Sequence, residues 1–241
     1  MALLDWTSIN PYVRIRDTKK KLYNRFFYSV RYHCPGGRLI LKPTDSDLIQ
    51  TGIEHRKMLA KTYNYGGSWR YTTRDQTDNI NIPQLLAFQT VQTEHNDSIR
   101  MRIEEPHITF YSESEDLIFD IAKAALVDWS SEIEIVTRPA DELSRAALDS
   151  GSIIIKKPNN YTHKIILRDG KFSNKNLVGT YLDNLGDHVK VSKTVTKMLS
   201  GKGAFIWGVW FYTSDPSLVT ALSLIEPGIV LNIHPLVQAN K

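Results

Sequence analysis

Cations and aromatic rings alternate through the first forty residues of this chain. Between Asn10 and Arg38 lie eight basic residues, Arg14, Arg16, Lys19, Lys20, Lys21, Arg25, Arg31 and Arg38, against the single acid Asp17, with Tyr12, Tyr23, Phe26, Phe27, Tyr28 and Tyr32 among them. A cation meets phosphate and a flat ring stacks on an unpaired base, so this mixture suits a single-stranded nucleic acid. A second stretch has the same character: Tyr63-Asn64-Tyr65-Gly66-Gly67-Ser68-Trp69-Arg70-Tyr71, continuing to Arg74. Its paired glycines permit close backbone approach to a ligand, and a loop this long is more often functional than passive. The residues expected to contact nucleic acid are therefore Arg14, Arg16, Lys19, Lys20, Lys21, Arg25, Tyr28, Arg31, Trp69, Arg70, Tyr71 and Arg74.

Signals for catalysis are sparser. The seven histidines, at 33, 55, 95, 107, 163, 188 and 234, form no H-x-E, H-E-x-x-H or paired-His signature, and neither a Walker loop nor a nucleophile elbow occurs. Cys34 is the only cysteine, which rules out an internal disulfide and leaves no Cys/His set with zinc-site spacing. The sequence thus predicts no catalytic set, no metal and no cofactor. A metal-independent ribonuclease needs only one histidine with a second polar group for acid–base chemistry, and His33, His107 and His163 are the strand histidines that fit such a role.

Composition sets the class. The chain of 241 residues is 41% hydrophobic and 23% charged, ordinary for a folded protein and long enough for one large domain or two smaller ones. The net charge is only +4, but acids gather from Glu104 to Glu142, so the first segment reads as a basic arm on a more acidic body. Single-cysteine usage points to a reducing, intracellular and cytoplasmic setting. Met1-Ala2-Leu3-Leu4 is interrupted at once by Asp5 and there is no run of 18 apolar residues, so neither secretion nor a membrane span is expected.

The positioning elements follow from periodicity. Strands are predicted over 24–33, 38–42, 99–104, 107–111 and 132–137, with helices over 47–62 and 83–92 and after Ser114. In the second half the pattern predicts a short helix over 141–149, strands over 153–155 and 162–168, a hairpin turn at Asp169-Gly170 and a helix over 174–185. A ragged strand follows over 189–196, then a long strand over 205–213, a helix from Asp215 and a last strand over 229–234. Phe110-Tyr111-Ser112-Glu113-Ser114-Glu115-Asp116-Leu117-Ile118 is echoed by Phe211-Tyr212-Thr213-Ser214-Asp215-Pro216-Ser217-Leu218-Val219, a period of 101 residues. It marks the same strand-to-helix junction twice.

The order strand, helix, strand, strand, helix, strand resembles the ferredoxin-like split βαβ fold, antiparallel sheets with helices on one face. The expected class is α+β with two tandem ferredoxin-like (βαββαβ) units: a basic N-terminal arm over 1–23, a first unit over 24–140 with a 63–96 insertion, and a second unit over 150–241. In such a unit the sheet face away from the helices decides what the domain touches, and in RNA-recognition motifs it carries stacking aromatics. Lys202-Gly203-Ala204-Phe205-Ile206-Trp207 is similar to the start of that motif, and Trp207, Trp210, Phe211 and Tyr212 are its candidate rings. The tandem arrangement also resembles that of CRISPR-repeat RNA endonucleases. The resemblance implies a glycine-rich loop near the C-terminus, whereas Gly201, Gly203 and Gly208 lie before and inside an earlier strand.

Together these features predict a non-enzymatic protein that binds RNA or single-stranded DNA through its basic aromatic arm and loop. Two alternatives stand beside it. One is a subunit of a larger assembly, or a homo-oligomer, that docks through the same aromatic surfaces. The other is a metal-independent endoribonuclease of tandem ferredoxin-like type.

Overall fold

The computed structural model describes residues 4–62, 79–157, 159–201 and 205–239, with the backbone alone at 59–62. The protein is α+β and divides into two compact units, Met1–Glu142 and Leu143–Lys241, each built on a five-stranded sheet.

In the first unit the strands are β1 (Arg14–Asp17), β2 (Tyr28–His33), β3 (Ile99–Glu104), β4 (His107–Ser112) and β5 (Ile133–Arg138). Their order is β1-β5-β2-β4-β3, antiparallel throughout except that β1 runs parallel to β5 at the edge. Helices α1 (Ser46–Thr62), α2 (Ile82–Glu94) and α3 (Glu115–Asp120) start at polar caps. Asp45 Oδ1 accepts from Leu48 N, Asn81 Oδ1 from Gln84 N and Ser114 Oγ from Leu117 N, which satisfies amides that have no partner inside the helix. Alternation sends Val30, Tyr32, Ile108 and Phe110 to the helical side, where the Phe88 ring of α2 lies 5.0 Å from Tyr32 and 5.6 Å from Phe110.

Two expectations for this unit need correction. The strand predicted over 38–42 is a short 3-10 turn, Gly37–Ile40, because Gly36 adopts φ 84° and Leu39 N closes onto Gly36 O. The basic N-terminal arm expected over 1–23 is, over residues 4–18, built into the first unit. Trp6 is fully buried against Phe119, Asn10 Nδ2 donates to the carbonyls of Ser131 and Ile133, and β1 is a strand of the sheet. A tryptophan and a β-strand early in the chain are read from local charge as an arm, but burial claims them for the core.

The second unit holds β6 (Ile153–Ile155), β7 (His163–Leu167), β9 (Val189–Val191), β11 (Trp210–Thr213) and β12 (Val230–Gln238) in the order β6-β12-β7-β11-β9, with β6 parallel to β12 at the edge. A small ladder pairs β8 (Gly170–Lys171) with β10 (Phe205–Ile206). The Asp169-Gly170 turn predicted from sequence therefore leads into a pairing with a distant segment. Gly208 at φ 61° breaks the long strand predicted over 205–213 into β10 and β11, since this backbone conformation suits glycine and ends the ladder. The ragged strand predicted over 189–196 stops at Val191, because Ser192 caps a helix, α6 (Lys193–Ser200), by accepting from Val195 N. The helices α4 (Glu142–Asp149), α5 (Lys175–Asn184) and α7 (Leu218–Ile225) complete the chain. Phe211, Ile165 and Leu167 meet Val178, Leu182, Leu199 and Leu222 in its core. Among the described residues no helix is long and apolar enough to cross a membrane.

Cys34, just past β2, gives the first unit a predictable pH response. Burial, followed by the nearby charges of Glu105 and Glu132, pushes its thiol up to about 12, whereas an unfolded cysteine titrates near about 8.5. The folded state therefore holds its proton where the unfolded state loses it. The contribution is complete below about pH 8.5 and is lost as pH rises towards 12. We expect the urea midpoint to fall between pH 8.5 and 10.5 by an amount equivalent to about 2 kcal/mol, and Cys34→Ala to flatten that decline. The buried Tyr32 hydroxyl, also pushed up by burial, steepens it above pH 10 in both proteins.

Candidate functional site

Strand alternation that buries Val30 and Tyr32 must turn Ser29, Arg31 and His33 to the opposite face of the first sheet. Register then fixes what stands beside them. One row across all five strands reads Arg14, Ile135, Arg31, Thr109, Arg102, and the next reads Arg16, Thr137, Ser29, Tyr111, Arg100. With strands about 4.8 Å apart, Arg14, Arg31 and Arg102 fall at intervals of about 10 Å. Except for Arg31, which is partly buried, these arginines are exposed. This face is basic although the unit carries many acids.

An aromatic cluster sits at one side of it. Tyr23 and Asn24 have φ of 54° and 58°, and Arg25 N donates to Leu22 O at 3.1 Å, the geometry of a type I′ turn. A tyrosine in this left-handed region costs about 1–2 kcal/mol, and here it lays the Tyr23 ring edge-on to Tyr111, centroids 5.0 Å apart. The Arg100 guanidinium lies 3.9 Å above the Tyr23 ring. A hydrogen bond to Tyr23 helps Arg102 hold its proton more firmly than usual, and burial, then the Tyr23 hydroxyl, pushes Tyr111 up. Tyr23 is 40% exposed while Tyr111 is nearly covered, so Tyr23 is the ring a ligand would meet.

At the far end of the same face a β-bulge shapes a second cluster. Arg31 pairs with Ile135 but Tyr32 with Ile133, so Glu134 is the extra residue, and such insertions re-aim a side chain. Its Oε2 lies 3.1 Å from His107 Nε2 and 3.6 Å from Arg31 Nε, and its Oε1 lies 3.9 Å from His33 Nδ1. Arg31 Nη2 approaches His107 Nδ1 at 2.6 Å, and Arg31 Nε has no acceptor within hydrogen-bonding distance among the described residues. The two imidazoles meet edge to face, 5.7 Å between centroids.

The nitrogen and oxygen atoms of His33, His107 and Glu134 lie within 4.8 Å of one another, a ligand set that suits zinc. Arg31 argues against that use. A guanidinium can only donate, so His107 Nδ1 must be the acceptor and Nε2 must carry the hydrogen that goes to Glu134. A metal at Nε2 would require the reverse tautomer, with the Nδ1 hydrogen facing another donor.

The second sheet repeats part of the first face. One row reads Lys190, Tyr212, Lys164, His234 and the next Trp210, Ile166, Asn232. Lys164 Nζ stands 4.1 Å over the Trp210 ring, and the Trp210 and Tyr212 rings lie 4.9 Å apart. Arg100 faces Tyr111 across β3 and β4 as Lys190 faces Tyr212 across β9 and β11. The tyrosines of the doubled Phe-Tyr phrase therefore each stand opposite an edge-strand cation, while Phe110 and Phe211 are buried.

Of the residues singled out from sequence, Arg14, Arg16 and Arg31 share the first face. Lys19 and Lys20 are exposed beyond β1, Lys21 lies 4.9 Å over Phe27, and Arg25 stacks on Phe26 and pairs with Glu113. Tyr28 is only 5% exposed. It shares the inward parity of Val30 and Tyr32, belongs to the core, and is withdrawn as a contact. Trp69, Arg70, Tyr71 and Arg74 lie outside the described residues, as do Tyr63 to Ser68 and Gly203. Among the residues not singled out, Arg100 and Arg102 had a visible signal in their alternation with Ile99, Met101 and Ile103. Glu134 had none, since its place depends on a bulge. Comparisons with protein-family models, curated proteins and solved structures find nothing that matches this chain.

Proposed function

We propose that the protein binds RNA or single-stranded DNA on the helix-free faces of its sheets, and that each sheet is a ferredoxin-like unit with one added parallel strand. The order β5-β2-β4-β3, with α1 and α2 after β2 and α3 after β4, supports the ferredoxin-like reading, as does β12-β7-β11-β9 in the second unit. The observation that carries the binding proposal is the cation opposite a tyrosine at matching register in both units. A base has a π-face for Tyr or Trp, and Arg or Lys beside the ring meets the phosphate. The contact surface thus moves from an arm to a sheet.

The test is polarisation of a labelled RNA or DNA oligomer between 50 and 300 mM salt. With about four phosphates neutralised, the log–log slope is about −3, and affinity falls about 200-fold over that range. Replacing Arg100 and Arg102 by serine should weaken binding and reduce the slope by about one to two. Absence of binding to any oligomer at 50 mM salt sinks the proposal.

A further inference from the structure

Resting on that reading, we infer that the Glu134, His33 and Arg31 cluster on the first sheet is a metal-independent site for RNA strand cleavage through the ribose 2′-hydroxyl. These three side chains and His107 lie around and just beyond the centre of the Arg14–Arg31–Arg102 row, where His33 pairs with His107 at the strand ends, on the face where the backbone of a bound strand would run. Arg31 locks His107 as the Nε2–H tautomer, and that hydrogen holds Glu134 Oε2 at 3.1 Å. His107 is in this sense a positioning residue. Glu134 Oε1 is turned towards His33 across 3.9 Å, longer than a hydrogen bond and open to a hydroxyl. Arg31 Nε is buried, 3.6 Å from Glu134 Oε2 and without an acceptor in hydrogen-bonding distance among the described residues, so the guanidinium brings positive charge to the place where a phosphate would approach Glu134.

Beside His33 lies a cleft of about 250 Å³ lined also by Pro35, Asn79, Asn81, Gln84, Trp129 and Glu132. It is smaller than the roughly 300–1,000 Å³ of drug-sized ligand pockets. Gln84 Nε2 donates to His33 O and Asn81 Oδ1 caps α2, which leaves the Trp129 indole for stacking and the Asn79 amide with Asn81 Nδ2 for base edges, the chemistry by which proteins hold one splayed base of a single strand. A base seated there puts its own ribose next to His33, whose Nδ1 stands 3.9 Å from Glu134 Oε1.

The step balances without a co-reactant. Glu134 takes the proton of the 2′-hydroxyl, and the 2′-oxygen forms a bond to phosphorus. The bond from phosphorus to the 5′-oxygen breaks, its electron pair leaves on that oxygen, and protonated His33 supplies the proton. Arg31 stabilises the charge that develops on the phosphoryl oxygens. The products are a 2′,3′-cyclic phosphate and a 5′-hydroxyl. DNA, lacking the nucleophile, binds and is not cut.

The experiment uses the full chain in EDTA with an RNA oligomer and its 2′-O-methyl counterpart, which cannot react. Cleavage of the first to a cyclic phosphate, seen by mass spectrometry, is expected. Glu134→Gln and His33→Asn should each slow it at least about 100-fold while binding of the 2′-O-methyl strand stays within a few-fold. His107→Asn should lower kcat with KM little changed, which loss of a purely structural contact would not produce. An intact RNA that still binds as its 2′-O-methyl form overturns the cleavage site alone, and no binding of either strand overturns both readings. Variants that cut as fast as the parent, or cleavage that needs added zinc or manganese, overturn the assignment as well.

Discussion

Glu115→Ala is expected to destabilise the first unit by about 3–5 kcal/mol, the cost of leaving a buried charge without its partner. Glu115 is 3% exposed. Its Oε1 accepts from Trp6 Nε1 and from Arg138 Nη1, each at 3.0 Å, and Arg138 Nη1 also reaches Leu4 O at 2.7 Å. Truncation removes the acceptor shared by an indole and a guanidinium, both well buried, and neither can turn to water without moving the chain. Trp6→Phe tests the smaller part of this: it leaves the ion pair and removes one indole hydrogen bond, and should cost about 1–3 kcal/mol. Urea unfolding gives the totals, and hydrogen exchange of residues 14–17 and 133–138 locates the loss. A Glu115→Ala protein within 1 kcal/mol of the parent would show that the triad is not what docks the N-terminal segment. The same variant reaches function, because Trp6 anchors the segment leading into β1. Loosened pairing with β5 takes Arg14 and Arg16 off the basic face, so under the proposed binding mode RNA affinity should fall even where the protein remains folded.

That triad also shows where local sequence stops being informative. Glu115 is intelligible from sequence as an acid in the first turn of a helix capped by Ser114, and it does occupy that turn. Its second role, receiving Trp6 from 109 residues away, leaves no local trace. Strands whose pattern is local, such as Ile99–Glu104 with its alternating arginines, are legible almost to the residue. Segments decided by a backbone angle or a cap are not: Gly36 turns 37–40 into a 3-10 turn, Gly208 divides a strand, and Ser192 begins a helix. The candidate sites divide in the same way. Arg14, Arg16 and Arg31 are visible as charge, and His33 and His107 as strand histidines. Their meeting with Glu134 depends on strand pairing across more than a hundred residues and on a one-residue bulge, which no period in the sequence encodes.

Phe211→Ala and Tyr212→Ala, neighbours in the doubled phrase, should fail in opposite ways. Phe211 is fully buried among Ile165, Leu167, Val178, Leu182 and Leu222, so its truncation removes a large side chain from a packed core and should cost the second unit about 3–5 kcal/mol. Tyr212 points to the other face, partly exposed, with its ring against Trp210, and losing that edge contact costs about 0.5–1.5 kcal/mol. In binding the order reverses. Under the proposed binding mode, a stacked base lost with Tyr212 should weaken RNA affinity by about 1–3 kcal/mol, roughly 5- to 150-fold, whereas Phe211→Ala, assayed well below its melting point, still presents Tyr212, Trp210, Lys164 and Lys190. Thermal melts paired with polarisation at 50 mM salt separate the two. Equal binding losses in the two variants would mean that the sheet face acts only through the integrity of the unit, and the tyrosine opposite Lys190 would lose its place in the interface. A loss confined to Tyr212→Ala would instead tie the second unit's ring and cation to the nucleic acid, and by register would predict the same for Arg100 opposite Tyr111 in the first, where the Tyr23 ring packed against both is the exposed one.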